Sequence, residues 1–257
     1  MINTMSEEIC RDKNIHIEIP EKAAVILSTL HQAGFEAYVV GGCVRDSILK
    51  KIPGDWDITT SAKPMEIKQL FRRTVDTGIE HGTVTVMLGK EGFEITTYRI
   101  DGEYADGRHP KDVIFTANLR EDLRRRDFTI NAMAYNTEEG LIDIFGGMED
   151  IGKKLIRCVG DPQERFGEDA LRIMRAVRFS AQLDYQIETR TKEAIAALSH
   201  TLSKISAERI QTELVKLLCA DYPGKIRDAW KMGILRIILP ELDRCIIHII
   251  CILSESI

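Results

Sequence analysis

Several absences narrow the possibilities. The six cysteines (Cys10, Cys43, Cys158, Cys219, Cys245 and Cys251) include no C-x-x-C pair and no zinc-type spacing. Scattered thiols of this kind point to a reducing compartment and a cytoplasmic protein. The first residues, MINTMSEEICRDKN, lack the apolar core of a secretory leader. No apolar run is long enough to span a membrane. The stretch Cys245 to Leu253 is apolar but short, and it carries His248. Positive charge is not in excess: 35 Lys and Arg against 40 Asp and Glu leave a net charge of -5. The chain is therefore no general polyelectrolyte binder of nucleic acid, and any RNA contact must come from local basic clusters. No internal repeat and no low-complexity segment appears.

What remains is an ordinary globular chain. Its 257 residues are 44% hydrophobic and 29% charged, enough for one large domain or two modest ones with a sizeable core. Residues 1–19 read as a loose arm. Pro20 opens a helix that ends at Gly34, and a strand over Glu36–Val40 follows. Met65 to Phe71 reads as a short helix. Thr83–Leu88 and Phe93–Tyr98 read as a hairpin around Gly89–Gly92, and Leu141–Phe145 as a last strand. After about Cys158 the pattern is helical with no convincing strand: 162–181, 189–199, 207–219 and 225–232. These elements predict an α/β head over 20–157 and an all-helical part over 158–243. Residues 244–257 form an apolar tail.

The chemistry concentrates in Tyr38 to Thr60, YVVGGCVRDSILKKIPGDWDITT. A short strand meets Gly41-Gly42, a helix follows, Pro53-Gly54 breaks it, and a second strand carries Asp55 and Asp57. Alternate residues of a strand share a face, so the two carboxylates project together and repel. Divalent cations remove that conflict, and Mg²⁺ takes one or two carboxylates plus substrate phosphates. Gly42, at the start of a helix, offers backbone N–H groups to an anion. Arg45 presents a fork suited to phosphate, with an ion pair to Asp46 or Asp55 as the plainer reading. Glu94, interrupting an apolar strand, is the candidate for a third carboxylate; a surface partner for Lys90 is the alternative. A phosphate cradle beside paired acids points to phosphoryl or nucleotidyl transfer.

A second constellation lies in Glu168-Asp169-Ala170-Leu171-Arg172. On one continuous helix, Asp169, Arg172 and Arg175 step round one side, with Arg178 at its far edge. Ion pairing on a wet face is the bland reading. The functional one is base selection. Cytosine and adenine both present an amino donor beside a ring-nitrogen acceptor. An Asp acceptor next to an Arg donor therefore matches C and A and mispairs with U and G.

These motifs, GGxVRD, DxDI, RRDFTINA and EDALR, resemble the class II tRNA nucleotidyltransferase (CCA-adding) and bacterial poly(A) polymerase family over about residues 20 to 243. The resemblance implies a nucleotidyltransferase head with a small, mainly antiparallel mixed sheet, followed by an RNA-binding neck. It implies catalytic and metal-holding roles for Asp55 and Asp57, with Glu94 beside them, and Mg²⁺ as the cofactor. It assigns Arg126 and Asp127 to the ribose and phosphates of the incoming nucleotide, and it gives the EDxxR residues the base-selecting role. Substrates are then tRNA, CTP and ATP. The loop Asp101–Pro110, with Tyr104, Arg108 and His109, is linked in the family to the final adenosine and favours CCA over CC addition. Asp143 with Gly146-Gly147 resembles the hinge between head and neck. Ser206 through Glu213 resembles a neck motif in which Ser206 caps its helix while Glu208, Arg209 and Glu213 brace the recognition helix. Family members usually continue into body and tail domains, so a chain stopping at Ile257 is expected to hold tRNA less firmly. A-only addition, poly(A) synthesis and a weakly active RNA-binding remnant stay open alternatives.

Overall fold

The computed structural model describes residues 11–102 and 113–246. In chain order the first elements are β1 (Arg11–Asp12), α1 (Glu21–Gln32), β2 (Ala37–Val40), α2 (Gly42–Ile48), β3 (Ile58–Thr60), α3 (Pro64–Leu70), β4 (Thr74–Gly78), β5 (Thr83–Leu88) and β6 (Glu91–Thr97). Next come β7 (Arg99–Asp101), β8 (Val113–Phe115), α4 (Leu119–Arg124), β9 (Met133–Asn136), β10 (Gly140–Asp143) and α5 (Gly147–Lys153). The rest is β11 (Leu155–Ile156), α6 (Pro162–Glu168), α7 (Leu171–Leu183), β12 (Gln186–Ile187), α8 (Thr189–Leu198), α9 (Ala207–Leu218), α10 (Ile226–Lys231) and α11 (Ile234–Ile238), with helical turns again over 240–246. Among the described residues, no helix is long and apolar enough to cross a membrane.

The described residues fall into two compact units, 11–102 with 113–149, and 150–246. The first is built on an eight-stranded sheet in the order β1-β10-β9-β2-β3-β6-β5-β4. Only β3 and β6 run parallel; every other neighbouring pair in this sheet is antiparallel. This is the mixed, mainly antiparallel head that the motifs imply.

All four residues of β2 are buried, so both faces of this central strand are covered. Tyr38 and Val40 point to one face, where Leu119 and Leu123 of α4 pack on them. Thr59 is the register partner of Tyr38, so β3 presents Thr59 to the same face. The second unit is helical around Phe166, Ile173, Met174, Val177, Ile195 and Leu202, each almost fully buried. Its only strands among the described residues are β11 and β12, a two-residue parallel pair.

Several expectations change. Arg11 and Asp12 do not belong to a loose arm, because they pair with Ile142 and Leu141 of β10. The segment over 162–181 is two helices, α6 and α7, rather than one. The cause is local: the Asp169 carboxylate accepts from the Leu171 backbone N–H at 3.0 Å. Such side-chain capture of an amide competes with the helical bond and restarts the helix. Strands β4 and β9 were not anticipated, and β9 is central because it pairs with both β2 and β10.

Gly140 lets β1 dock. It sits at φ +81°, and an added Cβ would lie 2.5 Å from the Asp12 carbonyl oxygen. Gly140→Ala is expected to destabilise the head by about 1–3 kcal/mol through left-handed strain and overpacking. A lowered urea midpoint at unchanged m-value is the check, and an unchanged midpoint would show that this contact is dispensable.

Candidate active site

Strand direction assembles the site. Strand β2 is antiparallel to both β3 and β9. The end of β2 therefore meets the start of β3 and the start of β9. Gly41 and Gly42 leave β2 at that end, Asp55 and Asp57 approach β3 there, and the Arg126-Asp127 segment enters β9 there.

Asp55 and Asp57 lie just before β3 rather than within it, because the Pro53-Gly54 break carries the chain in as a loop. Asp57 nevertheless joins the ladder, its carbonyl accepting from the Val40 N–H at 3.0 Å. Ile58 pairs with Ile95 in the parallel β3·β6 ladder, so one step back places Glu94 beside Asp57. Glu94 lies on the exposed face of β6, between buried Phe93 and Ile95. Among the described residues, no ion pair joins it to Lys90.

The electrostatics show the crowding. The Asp57 side chain keeps solvent contact, yet surrounding protein displaces enough water to destabilise its charge. Its pKa is pushed up to about 6, first by this burial, then by Asp55 and, less strongly, by Glu94, while Arg126 opposes the rise. These are hard oxygen donors, suited to a divalent cation of the Mg²⁺ type. Among the described residues no three acidic, His or Cys side chains are already grouped to hold a metal. Asp55, Asp57 and Glu94 therefore approach the same end of the sheet without being gathered into a ready-made ligand set.

The two arginines beside these acids differ sharply. Arg45 is buried and satisfied: Nε and Nη2 donate to Asp46 at 2.9 and 3.0 Å, and Nη1 donates to Asn131. The ion pair that was its plainer reading is therefore present. Arg126 is underused. Its Nη2 lies 3.4 Å from Asp122, and its buried Nε has no acceptor. Its Nη1 lies 3.1 Å from where a Cβ on Gly41 would stand. Gly41, at φ +81°, thus makes room for this guanidinium. Gly42 opens α2, and the first helical bond runs from the Arg45 N–H to the Gly41 carbonyl, so the N–H groups of Gly42, Cys43 and Val44 precede that bond.

Asp127 is buried and accepts from the Phe128 N–H at 2.8 Å and from Asn131 at 3.2 Å. The chain after it makes a single 3₁₀ turn, Thr129–Asn131, leading into β9. Asp127, Asn131, Arg45 and Asp46 form one chain of contacts that ties the β9 entry to α2.

In the helical unit, Asp169 and Arg172 are not neighbours on one helix. Asp169 ends α6 with extended backbone, and its Oδ2 accepts from Arg209 at 3.1 Å. Arg172 donates to Glu168 at 2.6 Å and to the Arg165 carbonyl at 3.1 Å. Arg175 lies 5.4 Å from the Phe179 ring centre, and Arg178 stacks on that ring at 4.0 Å. Arg178 also meets Glu213 at 2.7 Å, with both side chains under a tenth exposed. Arg209 and Glu213 of α9 therefore contact the residues they were expected to brace, whereas Glu208 is exposed. Ser206 holds the N-cap position of α9 but makes no capping bond with its side chain. Asp143 accepts from the N–H groups of Gly147 and Met148 at 2.8 Å each, so it caps α5. Tyr104, Arg108 and His109 lie outside the described residues.

Sequence reasoning missed Asp122, which is fully buried on α4. Its signal was its spacing three and four residues ahead of Arg125 and Arg126. Spacing alone does not reveal burial.

Two measurements probe these clusters. Asp57 carries a raised pKa, so the folded state binds its proton more readily than the unfolded chain does. Stability is then lost as pH rises from about 4 to about 6, and the full penalty persists above 6. In metal-free buffer, Asp57→Asn is expected to melt higher than wild type at pH 7.5 and to lose that advantage near pH 4. A lower melting temperature at pH 7.5 would contradict the charge crowding. In the helical unit, Glu213→Ala leaves the Arg178 charge buried without its carboxylate and is expected to cost about 3 kcal/mol in urea unfolding. A cost below about 1 kcal/mol would mean that other contacts satisfy Arg178.

Comparison with known proteins identifies the family. Residues 37–157 match the family described as the poly A polymerase head domain, and residues 184–246 match the probable RNA and SrmB-binding site of polymerase A. The CCA-adding enzyme of Lactobacillus helveticus is 55% identical over 196 residues, covering 76% of this chain and 49% of the relative. The crystal structure of the Bacillus stearothermophilus CCA-adding enzyme in complex with CTP superposes with a TM-score of 0.79 at 40% identity, covering 84% of this chain and 53% of that one. The Thermotoga maritima CCA-adding enzyme complexed with tRNA gives a TM-score of 0.76 at 27% identity, over 91% and 57% of the two chains. The chain thus spans about half the length of the relatives it matches. By motif, fold and sequence alike, it belongs to the class II tRNA nucleotidyltransferase and bacterial poly(A) polymerase family.

Proposed function

We propose that this protein adds C, C and A to the 3′ end of tRNA from CTP and ATP, releasing pyrophosphate and choosing nucleotides without a nucleic-acid template. The reading is carried by the meeting of Asp55, Asp57 and Glu94 with an underused Arg126 at the glycine-lined end of β2. That is the charge pattern a cation-bound triphosphate requires: acids for the metal and a donor for the phosphates. Relatives described as CCA-adding enzymes, one of them in complex with CTP and another with tRNA, support the substrate class.

In this mechanism Asp55 and Asp57 would hold Mg²⁺, with Glu94 alongside, and the ion would lower the pKa of the primer 3′-hydroxyl and neutralise charge on the leaving pyrophosphate. Arg126 donates to the triphosphate at the glycine turn after β2. Arg45 acts through Asn131 and Asp127, holding the β9 entry where the ribose is to rest. Asp169 and Arg172 read the base edge, exchanging Arg209 and Glu168 for cytosine or adenine as partners. Arg175 and Arg178, packed on Phe179, lie further along α7 from Arg172. The scattered thiols suit a reducing, cytoplasmic setting.

Incubation with tRNA lacking its 3′ end and each labelled nucleotide tests the reading. CCA addition predicts incorporation of C, then A, and loss of all incorporation in Asp55→Asn or Asp57→Asn. Asp169→Asn is expected to relax discrimination against UTP by about tenfold, the scale of one mispaired buried polar group. A alone, long A tracts, or binding without incorporation would each replace CCA addition with A-adding, poly(A)-synthesising or purely RNA-binding activity.

A further inference from the structure

The transfer reading leaves Asp122 unused, yet it is the most deeply placed carboxylate near the site, with no exposed surface. Its Oδ1 accepts from Arg125 through Nε at 2.9 Å and Nη2 at 2.7 Å. Its Oδ2 accepts from the Thr59 hydroxyl at 3.0 Å and faces Arg126 Nη2 at 3.4 Å. Thr59 lies two residues beyond Asp57 and so shares its strand face. One buried group thereby joins the strand of paired acids to the arginine that faces them.

We propose that Asp122 is a positioning residue that holds Arg126 for the nucleotide triphosphate and keeps it off the acids of the metal site. This inference rests on the nucleotidyl-transfer reading.

Three observations carry it. First, the division of labour is uneven. Arg125 occupies one carboxylate oxygen with two donors, while Arg126 makes a single long contact and keeps a buried Nε without an acceptor. A guanidinium held by one nitrogen is fixed in place but retains most of its donors. Second, Arg126 is confined from the other side by Gly41, where a Cβ would approach it to 3.1 Å. Third, the anions nearest to hand compete for it. Asp57 pairs with Val40 and Arg126 lies against Gly41, the next residue, so the Asp57 carboxylate is the near anion for an untethered guanidinium. There it would displace the cation and turn its donors away from the phosphates. Asp122 is able to act as this counterweight because it stays ionised. Burial alone would raise its pKa, but Arg125 and Arg126 outweigh burial and hold it below the ordinary value.

A double-mutant cycle on the full chain tests the assignment, using Asp122→Asn, Arg126→Ala and the pair together. CTP affinity by equilibrium dialysis, KM and kcat for CTP, and thermal melting are all read. Asp122→Asn is expected to weaken CTP binding and raise KM about tenfold, with kcat changed far less, the scale of one charge-assisted hydrogen bond. The double variant is expected to bind CTP no more weakly than Arg126→Ala alone, because the tether then has nothing to hold. Penalties that multiply in the double variant, or unchanged CTP binding in Asp122→Asn, would overturn the assignment. If Asp122→Asn does not fold, Thr59→Val, which removes the hydroxyl that lies 3.0 Å from Oδ2 and 3.2 Å from the Thr96 carbonyl, replaces it in the cycle with an expected effect of about threefold. A wild-type chain that neither binds nor incorporates CTP would overturn the transfer reading itself. A wild type that does both, with a multiplicative cycle, overturns only the role of Asp122.

Discussion

The site depends on the antiparallel pairing of β2 with both of its neighbours. A strand flanked in this way delivers its own C-terminus and the N-termini of both partners to one end of the sheet. The glycine turn, the paired acids and the arginine segment are separated by tens of residues, yet this single constraint brings them together. The parallel β3·β6 pairing then sets Glu94 beside Asp57. A one-residue slip in either ladder would turn these side chains to the opposite face. The full burial of β2 and β3 is what forbids such a slip, since every residue of both strands is packed.

Within that frame, charge is arranged in layers. Buried contacts consume Arg45, Arg125, Asp46, Asp122 and Asp127, and the acids left over crowd at the surface of the site. Asp57 sits among like charges at a cost to folding, a cost that a cation held there under the proposed function would offset. The helical unit repeats the pattern, with Arg209 and Glu213 of α9 occupying Asp169 and Arg178. Side chains proposed to read a base thus also make ion pairs within the protein.

The legible parts of the fold were those punctuated by special backbone residues. Gly41-Gly42, Pro53-Gly54 and Gly89 marked turns, so the strand–helix–strand unit and the β5–β6 hairpin could be read directly. Strand β9 was hidden because its residues follow a charged run that looks like the front of a helix, and its pairing with β2 is set by tertiary contact. Strand β4, TVDTG, is short and polar and gives no periodic signal. The α6–α7 break was invisible because it comes from one side-chain bond at Asp169 rather than from a breaker residue. The acids of the site were legible by type and spacing. The contrast between a saturated Arg45 and an underused Arg126 was not, since it depends on which partners lie within 3 Å.

The outermost strands of the head sheet have a consequence for association. On one side, among the described residues, Arg11 and Asp12 of β1 pair with β10. On the other, the β4·β5 register shifts between Val75 and Gly78, and Asp76 there is bound to Lys68 at 2.8 Å. A bulged, charged strand is a poor template for an incoming chain. The β4 margin of the head sheet thereby disfavours strand-to-strand polymerisation.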